Sequence, residues 1–122
     1  MTRSRQSAKK AGTAFETAIA RHLAQALDDD RIERRTRNGA KDRGDISGLR
    51  IHGQRLVAEL KSCSRMDLPG WTAEARLEAG NDDALAGIVI SKRHGKTAPG
   101  AQWVHMTVDD FVALITGQQV DQ

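Results

Sequence analysis

The chain has a single cysteine, no tyrosine, two prolines and four aromatic residues among its 122. A lone Cys63 cannot form an internal disulfide, and neither it nor His22, His52, His94 and His105 shows zinc-ligand spacing. The fold therefore has to rest on packing in a reducing compartment. No apolar run approaches the roughly 18 residues of a membrane span, and the basic amino terminus lacks the apolar stretch of a signal peptide. The expected location is the cytoplasm, with no membrane partner. There is no internal repeat. A chain of 122 residues sustains one hydrophobic core but not a second.

Acid is missing where base gathers. The formal net charge is +3, yet residues 1–10 carry Arg3, Arg5, Lys9 and Lys10 with no acid, and residues 31–43 carry six basic groups against Glu33 and Asp42. The remainder is net acidic. Basic segments beside an acidic pocket suit a polyanion, so DNA is the expected partner; the bland alternative is a solvated basic surface. Residues 1–10 are expected to form a flexible basic tail, 11–117 a single domain, and the polar residues 118–122 a disordered carboxyl terminus.

What is present centres on the stretch from Arg43 to Cys63. Two arms rich in β-branched and aliphatic residues flank His52-Gly53-Gln54, the composition of a β-hairpin. In the second arm Val57, Ala58 and Leu60 mark a central, buried strand. Glu59 and Lys61 stand among them at a spacing of two, hence on one face, and charges so placed need a partner or a task. Asp45, just after Gly44 and before Ile46, stands at the mouth of the first arm. A two-residue loop pairs Asp45 with Leu60, whereas a three-residue loop at 52–54 pairs it with Lys61. The odd-length loop, or a bulge with the same effect, is therefore expected. Asp42 is a rival aspartate that lacks the apolar neighbours of Asp45.

An Asp followed across a hairpin by Glu-x-Lys resembles the PD-(D/E)XK nuclease superfamily. That resemblance implies that Asp45 and Glu59 hold Mg²⁺, for which Mn²⁺ can substitute, and that Lys61 positions or activates the attacking water. It also implies a third acid from the first helix, and Glu16 is the position that matches. The competing view of Glu16 is a helix-border residue paired with a base. Within the superfamily the chain is most similar to small phage-encoded or archaeal-type Holliday junction resolvases. In the archaeal type the loop before the catalytic Asp has an Arg and then Gly-Ser; Arg37 and Gly39 fit, but Ala40 stands where the Ser would be.

The flanking elements can be read from periodicity and punctuation. Residues 8–27 read as a helix with Phe15, Ile19, Leu23, Ala26 and Leu27 on one stripe, ended by Asp28-Asp29-Asp30. Residues 31–36 should be the first strand. Pro69-Gly70 breaks the chain before a helix over 71–79, whose Trp71, Ala75 and Ala79, with Leu77 beside them, cover the sheet. Residues 87–91 and 101–106 read as strands. Thr107 caps a last helix with apolar Val108, Phe111, Val112, Leu114 and Ile115. The order suits an α/β fold, a mixed sheet with helices on both faces, and the resemblance implies a restriction-endonuclease-like mixed β-sheet of about five strands flanked by helices.

The resemblance thus implies a metal-dependent endodeoxyribonuclease, acting as a homodimer on four-way or otherwise branched DNA in recombination or phage DNA processing. Its location would be the host cytoplasm if it is phage-encoded. The expected DNA contacts are Arg3, Arg5, Lys9, Lys10, Arg35, Arg37, Lys41, Arg43, Lys92, Arg93 and Lys96. The alternatives are a restriction- or repair-type nuclease on duplex DNA, a catalytically inactive DNA-binding module on the same fold, or an accessory protein that dimerises with a partner.

Overall fold

In the computed structural model, which describes residues 4–36 and 42–120, the stretch Gln54–Lys61 forms the longest strand, β4. Val57, Ala58, Glu59 and Leu60 are all buried, as expected of a central strand. Successive side chains alternate between the two faces of the sheet. Ala58 and Leu60 join Phe15, Ile19 and Ala20 of the first helix, α1 (Arg5–Ala26), while Val57 packs with Ala79 and Ala84 on the opposite face. Each buried aliphatic or Phe side chain contributes roughly 1.5–3 kcal/mol.

Around β4 the described residues form an α/β arrangement of three α-helices and two sheets. β1 (Glu33–Arg34) pairs antiparallel with β2 (Ile46–Ser47). The second sheet is mixed, with strand order β3 (Arg50–Ile51), β4, β5 (Ala86–Ser91), β6 (Trp103–His105). β4 and β5 run parallel through the crossover helix α2 (Leu68–Asn81), and β6 closes the edge antiparallel to β5. The expected single sheet of about five strands is therefore split. The cause is Gly48, at φ +82°, where an added Cβ would stand 2.3 Å from the Arg31 carbonyl oxygen. The first hairpin arm turns there from β4 towards β1.

Several boundaries differ from expectation. The hairpin loop has two residues, His52 and Gly53, both at positive φ, closing Ile51 against Gln54. The odd-length loop is therefore absent, and the interruption at Gly48 displaces Asp45 instead, so that its N–H donates to Ala58 O at 2.9 Å. Helix α1 starts at Arg5 with Ser4 as its cap, which puts Lys9 and Lys10 in the helix rather than in a tail. Helix α2 starts before Pro69, because proline is tolerated in a first turn and Asp67 accepts from Gly70 N. Leu77 is two-thirds exposed and does not cover the sheet. At the carboxyl end, where disorder was expected from 118, Gln119 donates to Ala84 O at 2.9 Å.

The last helix, α3 (Val108–Thr116), is capped by Thr107 as expected, but it packs through Asp110, Ala113 and the partly buried Leu114. Val108, Phe111, Val112 and Ile115, a stripe at i, i+3, i+4, i+7, face outward. Among the described residues no helix is long and apolar enough to cross a membrane.

Candidate metal centre

Asp45 is placed by the glycine before it. Gly44 has φ +93°, and a Cβ there would come within 2.8 Å of Val57 Cγ1 and 3.2 Å of Ala58 O, so the chain can approach β4 this closely only with glycine. The Asp45 carboxylate then accepts from Leu60 N at 2.8 Å. Just upstream, Asp42 Oδ1 accepts from Gly44 N at 3.0 Å, and Asp42 O accepts from Asn81 Nδ2 at the end of α2. Both aspartates are therefore held by main-chain geometry.

On the facing side, Glu59 and Lys61 share one face of β4, as their spacing implies, and Lys61 Nζ lies 3.3 Å from Glu59 Oε1. Helix α2 lies along this face and adds two acids one turn apart. Glu74 accepts from Lys61 Nζ at 2.7 Å, and Glu78 is 2% exposed. Carboxylate oxygens of Asp42, Glu59 and Glu78 all lie within 4.8 Å of one another. Glu59 Oε2 and both Glu78 oxygens are buried with no hydrogen-bond partner. Carboxylate oxygens crowded in a desolvated site are costly; a proton held on Glu78 relieves part of that cost, and a hard divalent cation with oxygen ligands is the other group able to do so. The donor set therefore fits Mg²⁺ or Mn²⁺.

The electrostatics agree. Burial, then the Glu59 and Asp42 carboxyls, push Glu78 up to about 10. Burial, then the charge of Glu59, push Asp45 up to about 7, with Glu16 and Asp42 adding to the rise. Burial also raises Glu59, with Glu78 and Lys61 opposing. Burial would lower Lys61, but its hydrogen bond to Glu74 and the charges of Glu59 and Glu74 outweigh it, so its pKa rises and the ammonium stays protonated. A proton-accepting role for Lys61 is thereby disfavoured.

Of the residues singled out in the sequence, Glu59 is one of the three converging acids with Lys61 beside it, whereas Asp45, expected as the second metal ligand, is near enough for Glu59 to raise it but is not one of the three. Glu16 is close enough to raise Asp45, but its Oε2 accepts from Arg34 Nε at 3.2 Å and it is not among the three converging acids. Asp42, set aside for want of apolar neighbours, is among them. Glu78 was missed altogether. Its signal is a carboxylate at i+3 from Ala75 and i+7 from Trp71, inside the stripe expected to cover the sheet.

The basic residues divide. Arg5, Lys9, Lys10, Arg43 and Lys96 are exposed. Arg35 is half-buried and lies 3.9 Å from Asp82. Lys92 Nζ donates to Arg93 O at 3.1 Å and to Lys96 O, bracing its own loop, and the Arg93 guanidinium lies 4.3 Å from the centre of the Trp103 ring. Arg3, Arg37 and Lys41, with Asn38, Gly39 and Ala40, lie outside the described residues.

Compared with known proteins, the chain matches no family model, no curated protein and no solved structure at a significant level.

Proposed function

We propose that this protein is a metal-dependent endonuclease that hydrolyses DNA phosphodiester bonds, acting as a homodimer on branched DNA such as a four-way junction. The observation that carries the proposal is the convergence of Asp42, Glu59 and Glu78, with orphaned buried oxygens, beside the protonated Lys61 on one strand. An inert salt-bridged hairpin would pair its acids with bases; here Lys61 meets Glu59 and Glu74, while Asp42 and Glu78 converge on Glu59.

Glu59 with Asp42 and Glu78 would hold the cation, and Asp45 stands next to them. When bound, a divalent cation neutralises charge on a scissile phosphate and acidifies a water. The chain's own residues do the rest. Glu74 and Glu59 hold the Lys61 ammonium in place, where it meets a phosphate oxygen or the attacking water and offsets charge as it develops. Gly44 and Asn81 fix the loop that presents the two aspartates. Exposed Arg5, Lys9, Lys10, Arg43 and Lys96 supply contacts to the phosphate backbone.

Dimerisation is supported by α3, whose outward stripe of Val108, Phe111, Val112 and Ile115 is an apolar patch on a small domain. A two-fold axis would give a four-way junction the two matched sites it needs for paired nicks. The test is incubation with Mg²⁺ and labelled four-way junctions, flaps, nicked duplex and linear duplex, together with sizing in solution. Paired symmetric nicks from a particle of twice the 13.3 kDa chain mass are expected. A monomer that degrades linear ends would overturn the junction reading in favour of a repair- or restriction-type enzyme. No cleavage of any DNA would overturn the nuclease.

A further inference from the structure

Beyond the acid cluster, the carboxyl-terminal ends of β4 and β5 border a second cavity of about 430 Å³. Its walls include Met66, Trp71, Lys92, Arg93, His94 and Trp103, and no Asp or Glu lines it. It lies beside Lys61: Ser91, in its wall, is the register partner of Lys61 across the two strands, and Lys92 N donates to Lys61 O at 2.9 Å. Trp103 contributes an indole that is 47% exposed although Arg93 already covers part of it, and Met66 is 57% exposed. Large apolar side chains left open in a polar surface mark a place where something else is meant to sit. An aromatic ring backed by a guanidinium, in a cavity without acid, has the chemistry of a stacking platform for a nucleobase on an anionic backbone.

We propose that this cavity holds one unpaired nucleobase of the DNA substrate, stacked on Trp103, while the adjoining phosphate lies at Lys61. The proposal rests on the nuclease reading and sharpens it. A fully paired duplex keeps its bases stacked inside the helix and has none to give, whereas a junction centre, flap or single strand offers a base at little cost. The cavity therefore selects substrates with unpaired nucleotides. Arg93 does two things: it holds the indole in place, and its positive charge favours the neighbouring phosphate. Selection by stacking is tolerant of base identity, because every base has a π face.

The test separates stacking from cleavage. The full chain is titrated in a Ca²⁺ buffer with a twelve-nucleotide oligo-dT and, separately, with a duplex of equal length, following tryptophan emission and anisotropy of the labelled DNA. Quenching by oligo-dT is expected in the wild type. In Trp103→Ala the quench should shrink to what Trp71 contributes and affinity for oligo-dT fall by about ten-fold or more, with duplex affinity unchanged; Trp103→Phe should keep most of the binding. On the substrate side, a flap whose branch-point nucleotide is abasic should bind the wild type as weakly as the intact flap binds Trp103→Ala, and the two changes together should add nothing. The wild-type comparison of intact and abasic flaps does not depend on whether a variant folds. Equal binding of intact and abasic flaps by the wild type would overturn the cavity assignment even if Mg²⁺-dependent cleavage is observed. Quenching and abasic sensitivity without any cleavage would keep the cavity and remove the nuclease.

Discussion

An acid cluster and a cavity, both near Lys61, differ in nearly every physical respect. Under α2 the groups are desolvated carboxylates crowded on one another, with buried oxygens of Glu59 and Glu78 that no base meets. At the ends of β4 and β5 the walls are aromatic, thioether and cationic, and no acid lines them. Lys61 links them, because it pairs with Ser91 of the cavity wall and touches Glu59 of the cluster and Glu74 beside it. Opposite chemistries can stand this close because a parallel strand pair carries each side chain outward at a fixed rise, so a change of composition along β4 becomes a change of environment within a few ångströms. A phosphodiester has the matching asymmetry: its phosphate calls for cations, which the acids can recruit, and its base calls for a ring.

The sharpest way to break the contrast is to disable the acid side alone. Asp45→Asn, Glu59→Gln and Lys61→Ala should each lower Mg²⁺-dependent cleavage by about 100-fold or more, about 2.7 kcal/mol in the barrier, while DNA affinity by anisotropy stays nearly intact. Wild-type activity in Glu59→Gln would remove the acid cluster from the chemistry.

A smaller effect is expected from the backbone that brings the aspartates in. Gly44→Ala puts a Cβ 2.8 Å from Val57 Cγ1 at φ +93°, so unfolding by urea should report a loss of about 1–3 kcal/mol, with activity falling more than stability alone explains. Unchanged stability would mean that the loop finds another path to β4.

The repulsion within the acid side should be visible as pH dependence in the metal-free protein. Asp45 titrates near 7 in the fold against about 3.9 in an unfolded chain, so between these values the native state holds a proton that the unfolded state has released. Stability from this group is full below about pH 4 and is lost as pH rises through about 7, and Glu78, raised to about 10, extends the decline upward. The melting temperature should therefore fall between pH 5 and pH 8 and recover with Mg²⁺. Asp45→Asn should raise the metal-free melting temperature by a few degrees at pH 8; a clear drop would favour a structural ion pair instead.

The smallest expected change concerns the basic amino terminus. Replacing Arg3 and Arg5 by Ala, with the Ser4 cap retained, should reduce the salt slope of log affinity by up to about two units if both meet phosphates, at roughly 0.9 per contact. An identical slope would make them bystanders.

Much of the fold was legible because periodicity reports burial directly. Phe15 and Ile19 at i, i+4 define the buried side of α1, the run from Gly87 to Ser91 is a fully buried strand, and Thr107 caps α3 through Asp110 N. The same logic misled at α3, where apolar spacing identifies a face but not what covers it, and the stripe from Val108 to Ile115 stays outside. Glu59 and Lys61 could be read as neighbours because strand alternation is a local rule.

By itself, then, the chain order determined the helices, the central strand and the Glu-x-Lys pair on its face, since each follows from contacts between residues a few positions apart. Only the tertiary structure decided which acids meet. Asp42 reaches Glu59 because Gly44 lets the loop lie against β4 and Asn81 ties it to α2, and Glu78 arrives through a crossover helix nineteen positions further on in the sequence. Trp103 likewise comes to Lys61's side through β5, with β6 pairing at Ser91. Such meetings depend on how strands and helices dock across the sheet, and no local pattern of residues encodes that.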